Sequence, residues 1–275
     1  MIQTNWDAPI RKVPLEYNGT KSNAWSVQRE DIITTKTEDT TINGPVWNEV
    51  GVVSDNYLLI PNKKVVELAN DVADNSGLQF EEDKIFYNGR QFMYSMVSKD
   101  TVGEVEVGDD VGLGIMFWNS YDGSTALSFR IYLQRLACLN GMVSKDIFES
   151  YRFRHMHNSA SDYEAEILDT SKMINTSQDN VRYFINGLRQ LGIRELDMDK
   201  LSFLRQKYLS KLPTSLFGNI MDKFLSYKYQ KPTIYDLLNA STNVLWHKEK
   251  QTKADFDHNA YIVDNLIEYT NHYRP

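Results

Sequence analysis

An α+β fold, an antiparallel β-hairpin sheet with a packed helix followed by a helical C-terminal half, is what this sequence predicts. Three observations carry the prediction. Two strand-forming runs flank Asp122-Gly123, and two more flank Asn88-Gly89; such dipeptides accept the backbone conformations of tight hairpin turns at little steric cost. From Asp162 onward the apolar residues recur every three or four positions instead of every two. Strand runs followed by helix runs, without regular alternation, mark an α+β chain.

Taken in order, residues 1–45 are polar, with a Thr/Asp-rich patch at 34–41, and read as an N-terminal arm with at most one short strand near Ile32-Ile33. An α+β core is expected over 46–160 and a helical region over 161–275. Val65, Leu68, Ala69 and Val72 have the spacing of an amphipathic helix over about 63–75, with Asn62 placed to cap it. Lys84 to Met96 is a hairpin around Asn88-Gly89, with Phe92, Tyr94 and Met96 on one face. Glu104, Glu106, Asp109 and Asp110 form an acidic connection, expected to be a solvated loop, since their spacing fits no calcium loop. Val111 to Trp118 and Thr125 to Ile131 are the central strands, and a helix is expected across Arg135-Leu-Ala-Cys138-Leu-Asn140-Gly141. Rough helical periods follow at 165–174 and 181–188. Further helices are predicted at about 197–212, 216–229, 233–250 and 259–272, separated by Gly192, Pro213, Pro232 and a polar turn near 253–257.

Bulk properties narrow the function. The 275 residues, 41% hydrophobic and 12% aromatic, suit a folded chain with a substantial core. A net charge of −7 argues against grip on duplex DNA by bulk electrostatics, yet it permits a local basic groove. One cysteine, Cys138, excludes an internal disulfide and suits a reducing compartment. With no apolar run of membrane-spanning length and no secretory core at the start, the expectation is a cytoplasmic protein with no membrane partner.

Asn119-Ser-Tyr121-Asp122-Gly123-Ser124, followed by Arg135-Leu-Ala-Cys138-Leu-Asn140-Gly141, resembles the paired signature of the phage/plasmid-like family, domain-of-unknown-function family nine-three-two. Tyr57-Leu-Leu-Ile-Pro-Asn62 upstream is similar to that family's opening segment, and Asn239-Ala-Ser-Thr242 with Trp246-His247 to its closing helix. The resemblance runs from about residue 45 to about residue 260 and implies a phage or plasmid setting. The element order also resembles, more distantly, the β-β-β-α core of phage single-strand annealing proteins. That likeness implies single-stranded DNA held in a basic groove of a ring or helical homo-oligomer.

Enzymatic signatures are weak. His155-Met-His157 has no cysteine partner and reads as surface histidines; Cys138 sits among apolar neighbours and reads as a buried thiol. Glu81-Glu-Asp-Lys84 reads as a charged loop, and Gly112-Leu-Gly114 lacks the further glycine of a nucleotide fingerprint. No cofactor, metal or catalytic residue is expected.

Local charge is the remaining signal. From Thr125 to Asn158 five basic residues (Arg130, Arg135, Lys145, Arg152, Arg154) face two acidic ones, with aromatic residues among them. Cations that track a backbone and rings that stack on bases suit single-stranded nucleic acid. The expectation is a non-enzymatic single-stranded DNA-binding or annealing protein. Lys63, Lys64, Arg130, Arg135, Arg152 and Arg154 would meet phosphates, and Tyr121 and Tyr151 would stack on bases. Asn119, Asp122, Gly123, Ser124, Cys138, Asn140 and Gly141 would form the structural motif, with Asn140 bonding the turn backbone. Two alternatives remain. In one, Arg130 and Arg135 pair internally with carboxylates and the acidic surface serves a host or phage protein partner. In the other, carboxylates or histidines converge in a metal-dependent nuclease.

Overall fold

The computed structural model describes residues 6–8, 10–17, 20–28, 47–54, 56–136, 140–143, 150–155, 178–248 and 251–272, with isolated positions 165, 167 and 169. It is an α+β fold, as the sequence predicts. Strands β1 (Ile10–Tyr17), β2 (Thr20–Gln28) and β3 (Trp47–Ser54) form a three-stranded antiparallel sheet. Helix α1 (Asn62–Ser76) leads into a larger antiparallel sheet: β4 (Phe80–Tyr87), β5 (Gln91–Glu104), β6 (Asp110–Ser120), β7 (Leu127–Arg135), β8 (Asn140–Val143) and β9 (Ser150–Phe153). Its order is β4-β5-β6-β7-β8, with β9 pairing the first half of β7 while β8 pairs the second. Among the described residues five continuous helices follow: α2 (Gln178–Gly192), α3 (Met198–Lys207), α4 (Thr214–Ser226), α5 (Ile234–Trp246) and α6 (Lys253–His272).

Alternation along β5, β6 and β7 gives the large sheet two faces. Phe92, Tyr94 and Met96, then Leu113, Ile115 and Phe117, then Phe129, Ile131 and Leu133 join α1 and the C-terminal helices in the main core. The opposite face presents Met93, Met116, Trp118 and Tyr132, closed by Val143 and by Trp246, Phe256 and Ala260 from the joint between α5 and α6. A third cluster, Ala8, Val50, Val53, Tyr57 and Tyr121, ties the small sheet to the β6–β7 turn.

Several local expectations change. A hairpin occupies 10–28 inside the segment read as an arm, while Ile32 and Ile33 lie outside the described residues. The chain carries Asn18-Gly19 between β1 and β2, the same turn signal as Asn88-Gly89, within a polar stretch. Where a helix is expected after the central strands, β7 runs through Arg135 and resumes as β8, with Arg135 opposite Asn140. Cys138 lies outside the described residues, as does the side chain of Asn140 and most of the helical period at 165–174. Asn62 is the first residue of α1 and not its cap, because its side chain is engaged elsewhere.

Candidate nucleic-acid interface

The Asn119–Ser124 motif is a buried polar joint. Asn119 Nδ2 donates to Ile60 O at 2.8 Å and to Asn62 Oδ1 at 3.0 Å. Ser120 Oγ donates to Thr125 O at 2.7 Å and accepts from Thr125 N at 3.0 Å, which closes the loop on itself. Asp122 Oδ1 accepts from Ser124 N at 2.9 Å, and Gly123 takes φ 75°, a conformation that side chains strain to adopt. Tyr57 OH donates to Ser120 O at 2.7 Å. The three turn residues thus do what the sequence suggests: they set the hairpin.

Tyr121 has a different task from base stacking. Its side chain is 2% exposed, and its hydroxyl accepts from Asn62 N at 3.0 Å, satisfying a free N–H at the start of α1. Burial pushes the Tyr121 hydroxyl up to about 12. His155, expected at the surface, is buried: it stacks on Tyr57 with ring centroids 4.9 Å apart, and its Nδ1 lies 3.0 Å from Leu58 O. Burial holds it below 6.5, against the pull of the Leu58 and Thr125 carbonyls. His157 is outside the described residues.

The arginines divide. Arg135 is sequestered: its Nε donates to Asp109 Oδ1 at 2.6 Å, and Tyr235 OH donates to Asp109 Oδ2 at 2.6 Å. Asp109 is therefore a buried acceptor, not part of a solvated acidic loop. Arg130 and Arg152 share one side of the sheet. Tyr151 and Phe153 point with Phe129 and Leu127 into the main core, so Arg152, opposite Ser128, points the other way, as does Arg130. Arg154 follows just past the end of β9, and both Arg152 and Arg154 are exposed. Helix α6 adds Lys253 to this edge. Asp257 accepts both Arg130, at 3.4 Å, and Lys253, at 3.0 Å. Asp257 thus pairs with two cations, one from β7 and one from α6.

Lys63 and Lys64 do not join it. They begin α1, which packs on the other face, with Lys63 exposed and Lys64 half-buried. Tyr151 is half-buried against the main core and is no free ring for stacking. Gly141 has a packing role: a Cβ there would lie 2.3 Å from the Trp246 ring, so only glycine lets the indole lie on β8. Asn259 clamps the same strand, donating to Gly141 O at 2.9 Å and accepting from Val143 N at 3.0 Å.

The sequence reading missed a second polar cluster. Glu81 to Lys84 lie in β4, and Asp83 accepts from Ser95 Oγ at 3.2 Å, Tyr132 OH at 3.1 Å and Gln134 Nε2 at 3.4 Å. Lys84 donates to Trp246 O and sits 4.4 Å from the centre of the Trp246 ring, on a cleft of about 370 Å³. Loss of hydration lowers its ammonium to about 8. A lysine in an otherwise acidic tetrad, at a position that alternates inward, is the only sequence signal for this arrangement. Among the described residues, no three His, Cys, Asp or Glu side chains converge to hold a metal ion. No described helix is long and apolar enough to cross a membrane.

Residues 49–267 match a family described as Domain of unknown function (DUF932). No curated protein and no solved structure matches the chain.

Proposed function

The chain belongs to the family Domain of unknown function (DUF932), and from that premise we propose that it binds single-stranded DNA without catalysing a reaction. The observation that carries the reading is the placement of Arg130 and Arg152 on one side of the sheet, with Lys253 beside Arg130 at Asp257 and Arg154 exposed just past β9. Guanidinium groups on alternate strand positions and on a diagonal cross-strand neighbour lie within reach of successive phosphates. Arg130 is held by Asp257 and acts as an orienting cation; Arg152 and Arg154 are the exposed contacts. The reading keeps three of the four arginines expected from sequence. It drops Arg135, Tyr121 and Tyr151, each of which has structural work. It includes the phage or plasmid setting that the family resemblance implies, the recombination role and homo-oligomer that the likeness to annealing proteins implies, and action in the host cytoplasm.

Fluorescence anisotropy with a labelled oligonucleotide at low salt tests it. The Arg152→Ala/Arg154→Ala pair is expected to lose at least about tenfold in affinity and to flatten the salt slope by about 1.4, at about 0.7 per lost phosphate contact. Arg135→Ala is the control, expected to lower stability and leave affinity alone. Wild-type protein that does not bind at low salt overturns the reading.

One observation favours a second reading, a protein-interaction factor. Val107 is fully exposed and Ile193 is 71% exposed, and a Cβ on Gly192 would lie 2.7 Å from Glu106 Oε1, so the two apolar residues flank one acidic edge. A patch of that kind suits a basic partner, whose binding would persist in the arginine double variant.

A further inference from the structure

The arginine edge lacks an open ring for a base, since Tyr121 and Tyr151 are committed to the core. The turn after α4 has what is missing. Residues 223–231 read KFLSYKYQK: three lysines, two tyrosines and no acid. Tyr227 and Tyr229 are 41% and 37% exposed, their ring centres 5.5 Å apart and tilted by 53°. Lys223 Nζ lies 5.0 Å from the Tyr227 ring centre, and Leu225 beside them is 65% exposed. Phe224, 5.9 Å away beneath, backs the Tyr229 ring.

The backbone makes this pairing. Lys228 has φ 50°, and it is the only non-glycine among the described residues with positive φ. A residue in that region reverses the chain after one helical turn and brings its two neighbours side by side. Glycine adopts it freely; a lysine there is strained, and such strain gathers where a surface has a task. The composition also selects the partner class. Tyrosines enrich protein–protein interfaces, but lysines are depleted from them. Rings interleaved with lysines match a polyanion whose bases have flat faces.

Resting on the reading of the chain as a single-stranded DNA-binding protein, we infer that the Tyr227-Lys228-Tyr229 turn is a base-stacking site, sequence-tolerant, with Tyr227 as the principal ring and Lys223 and Lys228 as its phosphate contacts, Lys231 lying 3.9 Å from Glu195.

Labelled oligo-dT and anisotropy test it on the full chain, with Arg152→Ala/Arg154→Ala measured in parallel. Tyr227→Ala is expected to weaken binding at least about fivefold, the low end of what one stacked base contributes, and Tyr227→Phe is expected to retain it. Lys228→Gly separates fold from binding: relief of the strained turn raises the unfolding midpoint, while the lost charge lowers affinity. Unchanged affinity in Tyr227→Ala, with wild-type protein and the arginine pair behaving as the reading requires, overturns the stacking site alone. No binding by wild-type protein overturns the reading first and the site with it.

Discussion

At the scale of single residues, partners far along the chain decide what a side chain does. Arg135 meets Asp109, 26 positions away, and Arg130 meets Asp257, 127 positions away. No local pattern announces either pairing, and this is why arginines read together from sequence divide in space. The tyrosines fail as stacking residues for a related reason: a ring next to a turn looks exposed in sequence, yet Tyr121 is the hydroxyl that α1 needs at its start. His155 gives a prediction at this scale. Its folded pKa lies below the unfolded 6.5 because burial disfavours the charged ring. The unfolded chain therefore takes up the proton first, so stability is full above 6.5 and is lost as the pH falls from there toward the folded value. Thermal midpoints measured from about pH 7.5 down to about pH 5.5 should fall, the unfolding free energy dropping by up to about 1.4 kcal/mol per pH unit from this one group. His155→Gln should flatten that part of the profile; an equally steep profile in the variant would remove His155 as its cause.

Elements were more legible than partners, because their signals are short-range. Pro61, Pro213 and Pro232 each precede a helix closely, and Asn88-Gly89 and Asp122-Gly123 each sit at a hairpin. The β1–β2 hairpin escaped because its polar, charged composition masked an Asn-Gly signal. Pro14 inside β1 is tolerated because β1 is an edge strand. The β7–β8 pairing escaped for the opposite reason: Arg135 to Met142 is apolar enough to pass for a helix, and sheet pairing puts Arg135 and Asn140 to Met142 in strands. Helix α5 is the best-capped element. Thr233 Oγ1 accepts from Asp236 N at 3.2 Å, and Asp236 Oδ2 accepts from Thr233 N at 2.8 Å, a reciprocal capping box. Thr233→Ala should lower stability by about 1 kcal/mol, read as a shifted urea midpoint with an unchanged m-value. A shift near zero would mean that the fixed chain direction at Pro232, with Pro232 O accepting from Leu196 N, holds the helix start without the cap.

For the whole molecule, the balance of charge frames the function. A chain of net −7 repels a polyanion at long range, so any grip on nucleic acid must come from cations concentrated on one part of the surface. The joint between α5 and α6 concentrates them: by folding over the second face of the sheet it sets Lys253 beside Arg130 and leaves Arg152 and Arg154 at the open edge. Had the helices all packed on α1's side, that edge would carry its three arginines with neither Lys253 nor Asp257 beside them. This arrangement makes the salt dependence quantitative. Arg152 and Arg154 are the cations that can exchange counterions for phosphates, while Arg130 and Lys253 are already held by Asp257. Two contacts give a log–log slope of affinity against salt of about −1.4 for a single strand. A much steeper slope would mean that further cations engage, as the lysines around Tyr227 would if the strand reaches that turn. A flat slope would mean that whatever binds is recognised through apolar contact, which moves the working surface to the acidic edge at Val107 and Ile193 and makes the partner a protein.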